Sequence, residues 1–457
     1  MIVLLCTIST VILALVCTYV LFFRRAYFPA FIIVAVSASP LSQYIFHFEY
    51  RQVDTAKLGL ELILVGLLCL VLFIETAVST QVLTRFREKL AFFRVVVILY
   101  VFLNLISALS SLVPERSVIF FFVSVVGPSV LFYLIAAKTS PTVKMLDSLV
   151  FSLLLSDLFV IMVGFTFRWL KFGETGSTDL IRYRNLGGMY GAGAVDMQMS
   201  LILPLVFLRD LGLSKKTKIA HGVFRLVSVL WIAFALSRTS YFVFGVAAAS
   251  SMLLLRQKVG VRFLAAVILG ALVSGIFFAF PTLGETVVQR FGGAFSVSDQ
   301  FASDLRPKIW AFAIPLFIQH PVVGIGLGNY TLFDPVHFST PHDLYLGLLV
   351  EAGVFVTFVF VIMVVGFFKL GVGVFSGSAG NDGRNLVASL LLGVGLFLAY
   401  GITGDSLYLP NGFSSATKAY HLFAVFGIMV LLYRLQRSRA LLKASDLKNR
   451  PKTKPIL

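Results

Sequence analysis

The side chains able to carry chemistry are few, and most of them fall late in the chain. His342 and Asp343 stand side by side in "PHDLYLGLLVEAG", Pro341 to Gly353, where a long apolar run begins. A histidine titrates near neutrality, so it can accept a proton from a hydroxyl at ordinary pH. It can equally serve as a polar group at a membrane boundary, and these residues alone leave both readings open. If a helix starts at Pro341, His342 shares a face with Tyr345 and Leu346, three and four positions on. Asp343 then points elsewhere, and Glu351 falls about 180° round an ideal helix. His342 reads as a solitary base.

Two arginines are candidates for binding an anion. In "SDLRPKIWAFAIPLFIQHP", Ser303 to Pro321, Ser303 or Asp304 can cap a helix whose first turn holds Pro307. Arg306 then sits at its amino-terminal end, where free N–H groups and the positive pole favour an anion. The alternative is that Arg306 snorkels to a membrane surface. Trp310, Phe312, Phe317 and Ile318 would meet the interface, and Pro315 would bend or end the helix. Arg238 lies between "LWIAFAL" and "YFVFGVAAA". A charge within a membrane defaults to a functional reading, and a solvated turn is the alternative.

"HPVVGIGLGNY", His320 to Tyr330, alternates Gly324, Gly326 and Gly328. Asn329 occupies the third glycine's place in a dinucleotide fingerprint, and no βαβ unit surrounds it. A sharp turn brings backbone close to something, a phosphate or another helix. No metal site is expected: His320, His337 and His342 lack zinc spacing, and no Asp-x-Asp pair occurs. No Walker motif supports use of a nucleoside triphosphate.

These residues sit among elements built for a bilayer. The chain of 457 residues is 58% hydrophobic and 13% charged. Soluble domains carry about twice that charge. Hydropathy predicts an all-α integral membrane protein, a polytopic bundle of about 12–13 spans. They lie near 2–23, 26–46, 58–74, 92–113, 117–137, 146–167, 191–208, 223–237, 240–255, 261–280, 346–368, 386–403 and 416–433. The pair 223–237 and 240–255 is read as a hairpin with "SRTS", Ser237 to Ser240, at its outer tip. The net charge of +17 is dispersed over alternate connectors, as the positive-inside rule requires, so no nucleic-acid partner is expected. This places the amino terminus outside and the carboxyl terminus inside. Residues 1–433 form the membrane domain, and 434–457 a basic cytoplasmic tail with membrane lipid as its neighbour. The outward loop 281–345, about 65 residues long, is rich in Phe, Val and Leu and is expected to pack on the bundle. Cys6, Cys17 and Cys69 fall inside apolar spans and read as small hydrophobes.

The order of these pieces is more specific than any one of them. "SRTS" between two spans, then "R…W…HPVVGIGLGNY", then "PHDLYLGLLVEAG" leading into an apolar helix, resembles the O-antigen ligase and polymerase superfamily of bacterial membrane glycosyltransferases. The resemblance covers roughly residues 184–370, most specifically Arg306 to Gly353. It implies a GT-C-like fold in the inner membrane, with a helical periplasmic loop and the site facing outward. It further implies a glycan donor on undecaprenyl diphosphate and an acceptor hydroxyl on a glycan or lipid A core. Inversion at the anomeric carbon without metal or cofactor is also implied. Arg238 and Arg306 match the two family arginines that engage the diphosphate, and His342 the histidine that activates the acceptor. Arg182, Arg184, Tyr345, Gly326 and Gly328 become further substrate-binding candidates. A chain-length regulator and a flippase are the implied protein partners. Two features depart from the pattern. Asp343 stands where the family often has Asn, and "RYRNLGGMYGAGAVDMQM" lacks a Pro-Asn pair. A transporter of lipid-linked glycans is the alternative function, for which matching halves and broken midplane helices would be the sign.

Overall fold

The computed structural model describes residues 27–45, 65–70, 87–175, 192–206, 306–333, 341–378, 381–402 and 414–449, with short pieces at 219, 221–224, 226–228, 231, 243–247 and 249–250. Every regular element among them is helical. In chain order these are α1 (Phe28–Ile45), α2 (Arg87–Leu109), α3 (Pro114–Lys138), α4 (Val143–Thr175) and α5 (Ala192–Val206). Then come α6 (Arg306–Gln319), α7 (Leu344–Gly377), α8 (Asn381–Gly401) and α9 (Ser414–Asn449).

Among the described residues, five stretches are long and apolar enough to cross a membrane: Ala91–Leu109, Pro114–Lys138, Leu344–Gly377, Gly383–Gly401 and Lys418–Ala440. They coincide with the spans expected at 92–113, 117–137, 346–368, 386–403 and 416–433. The all-α polytopic architecture follows. The spans expected at 2–23 and 261–280, and the hairpin tip at Ser237–Ser240, lie outside the described residues.

Side-chain patterning shows how these helices are used. Along α2, Val95, Leu99, Phe102, Ile106 and Leu109 are exposed, while Phe93, Val96, Tyr100, Asn104 and Ser107 are buried. The three-to-four spacing separates a lipid-compatible stripe from a bundle-facing one that also holds the polar groups. Small residues set the closest approaches. A Cβ at Gly393 on α8 would strike the Leu201 carbonyl of α5, and one at Gly427 on α9 would meet Ile135 of α3.

α3 contains two wider π turns, Phe122–Val126 and Leu134–Lys138. The first precedes Pro128, whose ring supplies no N–H and crowds the turn before it, so an irregular turn there has a cause. The second ends the helix, and Arg434 of α9 closes it. The Arg434 guanidinium is buried and donates to the Ala136 and Thr139 carbonyls at 2.8 and 2.9 Å. Cationic donors suit the carbonyl-rich end of a helix. α9 runs without a break through residue 434, where the sequence suggests a tail beginning. Helical structure continues to Asn449.

Arg434→Met is expected to leave two buried carbonyls without their charged donor. Hydrogen bonds to a charged group are worth about 1.5–3 kcal/mol each, so unfolding in detergent should move down by on the order of 2 kcal/mol or more. An unchanged thermal midpoint would refute the clamp.

Candidate functional site

α7 is not one continuous helix. Gly353 sits at φ 83°, ψ 175°, and breaks it nine residues after its start. In an unbroken helix the Val354 amide would bond the Val350 carbonyl. Here Val354 N–H donates instead to the Pro321 carbonyl at 2.9 Å. The released Val350 and Glu351 carbonyls accept from the Ile325 and Gly326 amides at 2.9 and 3.0 Å. The segment 320–326 thus satisfies every one of these freed backbone groups, as irregular backbone in a membrane protein demands.

The alternating glycines follow from this contact. Gly324, Gly326 and Gly328 all have positive φ, at 71°, 100° and 71°. A Cβ on Gly324 would meet the Glu351 backbone, and one on Gly353 the Val322 carbonyl. Of the two neighbours the sequence leaves open for this turn, the described contacts are with helices. The Gly326 amide is bonded to the Glu351 carbonyl. The Gly328 backbone lies against the Phe120 ring of α3.

A polar knot anchors the turn to the end of α2 and the start of α3. Ser107 Oγ donates to the Val323 carbonyl at 2.6 Å, and Ser117 Oγ to the Leu327 carbonyl at 3.1 Å. Asn329 Nδ2 lies 2.7 Å from Ser111 Oγ and 3.1 Å from both Ser117 Oγ and the Ile325 carbonyl. Asn329 occupies the place where a dinucleotide fingerprint has glycine, and here its amide holds the turn. Arg116 Nη2 donates to Thr331 Oγ1 at 3.0 Å, and its guanidinium lies 5.8 Å from the Phe120 ring centroid.

α6 packs over this turn through a small apolar core of its own: Ile309, Ala313, Ile325, Tyr330 and Val350. Phe312 meets Tyr330 edge-on at 6.1 Å. Pro307 occupies the first turn, as its spacing suggests, while Pro315 lies inside a helix that continues to Gln319. Trp310 does more than meet an interface. Its indole N–H donates to the Pro341 carbonyl at 3.1 Å, tying α6 to the residue that precedes His342. Arg306 opens α6 four positions before Trp310, so positions 306 and 310 share one helix face. The start of α6 and the His342 segment are therefore neighbours.

His342 has a φ of 48°, and no other non-glycine among the described residues has positive φ. Such a conformation is uncommon and persists where surrounding contacts impose it. Those contacts are on both sides: Trp310 holds Pro341, and Asp343 caps α7. Asp343 Oδ1 accepts from the Tyr345 and Leu346 amides, both at 2.8 Å. Burial pushes the Asp343 carboxyl up from its ordinary range, while these two N–H donors pull it down. The helix thus starts at Leu344, three residues after the Pro341 start that its pattern suggests, because Asp343 is its N-cap. Tyr345 donates its hydroxyl to the Leu398 carbonyl of α8 at 2.9 Å. Arg238, Arg182 and Arg184 lie outside the described residues. Trp310 and the serines of "SALSSLVPERS" are the contributors that reading along the sequence overlooks. Four serines in one short connector, between two apolar runs, are their signal.

Residues 223–361 match a family model described as O-antigen ligase. That stretch contains Arg238, Arg306 and His342 as well as Gly353. The chain is also 29% identical over 157 residues to an O-antigen ligase of Pseudomonas aeruginosa. The alignment takes in 33% of this chain and spans 36% of the relative's length.

Two outcomes test the geometry. Gly326→Ala places a methyl group against Ser111 and Ser117 at a backbone angle that disfavours any side chain. The expected loss is on the order of 2 kcal/mol or more, read as a lower thermal midpoint in detergent. Trp310→Phe keeps the ring and removes the donor. Amides around 341–343 should exchange faster in hydrogen–deuterium exchange while the midpoint stays within a few degrees. Unchanged exchange there excludes the tether.

Proposed function

Because both comparisons support the O-antigen ligase and polymerase superfamily, we propose that this chain is a membrane glycosyltransferase that moves a glycan from undecaprenyl diphosphate to an acceptor hydroxyl. The observation that carries the reading is the Trp310–Pro341 hydrogen bond. It joins the helix opened by Arg306 to the segment holding His342 in a left-handed conformation.

In this reading the acceptor hydroxyl attacks the anomeric carbon and its proton passes to the His342 imidazole. An imidazole within reach of the hydroxyl is the side chain most often used for such a transfer. The configuration inverts and the lipid diphosphate leaves. Charge grows on the diphosphate as its bond to the sugar breaks. The reading assigns Arg306 and Arg238 to this diphosphate, since preorganised guanidinium groups stabilise such charge strongly where water is excluded. Arg306 acts together with the positive pole of α6. Arg182 and Arg184 are further donor contacts. Tyr345, Gly326 and Gly328 support the substrate site through backbone they hold in place. The site opens to the periplasmic face of the inner membrane. The acceptor is a growing glycan or lipid A core, and a chain-length regulator and a flippase act alongside.

Reconstitution with a lipid-linked oligosaccharide, with and without lipid A core, separates the variants of this proposal. A ladder of products identifies a polymerase, and a single core-linked product a ligase. Transbilayer movement of the lipid-linked sugar with no new glycosidic bond would replace the proposal with a transporter. Arg306→Ala and His342→Gly are both expected to lose transfer by at least about a hundredfold, the scale of general-base and electrostatic contributions. Glycine relieves the backbone at 342, so His342→Gly should melt at or above the wild-type temperature. Wild-type turnover by either variant removes that residue from the chemistry.

A further inference from the structure

A second group of polar side chains lies inside the bundle, where α1, α4, α5 and α9 meet, and the glycosyl-transfer reading makes no use of it. Asp157 of α4 and His421 of α9 are 1% and 0% exposed, with Asp157 Oδ1 3.7 Å from His421 Nδ1. Gln198 of α5 donates its Nε2–H to Asp157 Oδ1 at 2.6 Å. His421 Nε2 lies 2.6 Å from Ser156 Oγ. Ser156 Oγ in turn donates to the Ile33 carbonyl of α1 at 2.9 Å. Lys418, three positions before His421 on α9, is also fully buried.

The hydrogens of this chain can be counted. A hydroxyl carries one hydrogen, and a carbonyl none. The Ser156 hydrogen therefore goes to Ile33, and Ser156 Oγ is the acceptor toward the imidazole. His421 Nε2 must be the donor. In the neutral ring, Nδ1 is then a bare lone pair, and it faces Asp157. An ionised Asp157 would set two electron-rich atoms against each other. Its Oδ2 and His421 Nδ1 are also buried without a hydrogen-bond partner among the described residues. Removing a carboxylate from water without compensation is strongly unfavourable, and within a membrane bundle more so. A proton on Oδ2 removes the buried charge and with it most of the repulsion between Oδ1 and Nδ1, and Oδ1, now the carbonyl oxygen of an acid, still accepts from Gln198.

We propose that Asp157 is a proton-binding site within the membrane bundle, its carboxyl held as the neutral acid between Gln198 and the Nε2–H tautomer of His421. The ligand is a proton and the site is independent of the outer loop. Among the described residues the titratable group beside it is His421 of α9, and the buried Lys418 lies one turn away on the same helix. α1 contributes a carbonyl and α5 an amide. With the proton bound, α4, α5 and α9 close on a neutral carboxyl. Its release places a negative charge at the helix junction.

Infrared difference spectroscopy of the full chain in lipid nanodiscs tests this at about pH 7, where ordinary carboxylates are ionised. The wild type is expected to show the carbonyl stretch of a protonated carboxylic acid, shifted in D2O and lost in Asp157→Asn. Asparagine carries a permanent hydrogen in nearly the same shape. Should that variant fail to fold, His421→Gln keeps Asp157 and must move the same band, giving paired positive and negative lobes against wild type. Absence of any acid carbonyl band in the wild type overturns the proposal, and is the outcome expected if Lys418 neutralises an ionised Asp157. A band that survives Asp157→Asn unchanged overturns it equally, since another buried acid such as Glu351 would then be its source, and a band indifferent to His421→Gln overturns the pairing with His421.

Discussion

The candidate site depends on the repair of one broken helix. At Gly353 the chain of α7 leaves helical geometry, and an amide and two carbonyls lose their partners at once. A neighbouring side chain reaches only one of them, Ser107 Oγ to the Glu351 carbonyl at 3.3 Å. The backbone of 320–326 meets all three, one bond after another. This explains why glycine is needed on both sides: Gly324 and Gly353 each leave room for the other segment's carbonyl. Backbone pairing of this kind has no slack, so the turn and the helix take up one relative position.

From that junction the support spreads outward. Serines at the end of α2 and the start of α3 bond the carbonyls of the turn, and Asn329 ties the serines together. α6 then covers the turn with an apolar core separate from that of the bundle. The Trp310 indole reaches across to Pro341, and Asp343 caps the resumed helix. His342 lies between these two fixed points and takes a left-handed conformation. A strained backbone is tolerated only where its neighbours over-determine it, and here they do.

The bundle and the candidate site obey the same rule in different ways. Polar groups inside an apolar structure must find partners, and the described helices provide them from distant parts of the chain. Arg434 closes the end of α3 from nearly 300 residues away in sequence, at a separation of 298 from Ala136. Gln198 and His421 meet Asp157 from two other helices. Exposed apolar stripes such as that on α2 need no such care, because an apolar side chain has no donor or acceptor to match.

Much of this was legible before any coordinates. Apolar runs of bilayer length mark helices wherever they occur, and the five spanning stretches match the runs closely, because length and hydropathy are local properties. Pro307 in a first turn and the succession from Arg306 to His342 to Gly353 are local too. Tertiary structure decided what each motif is for. The glycines read as a turn approaching something, and only the fold shows that it is the gap in α7. By sequence Asp343 only points away from His342, and the fold shows its carboxylate capping a helix. Glu351 was placed by ideal geometry on a helix that breaks two residues later. Trp310, Asn329 and Asp157 act through partners 31, 218 and 41 residues away. Periodicity reports which face a residue occupies. It carries no information about which distant backbone group that face will meet, because that choice is made by packing, where every buried donor and acceptor must be matched at once.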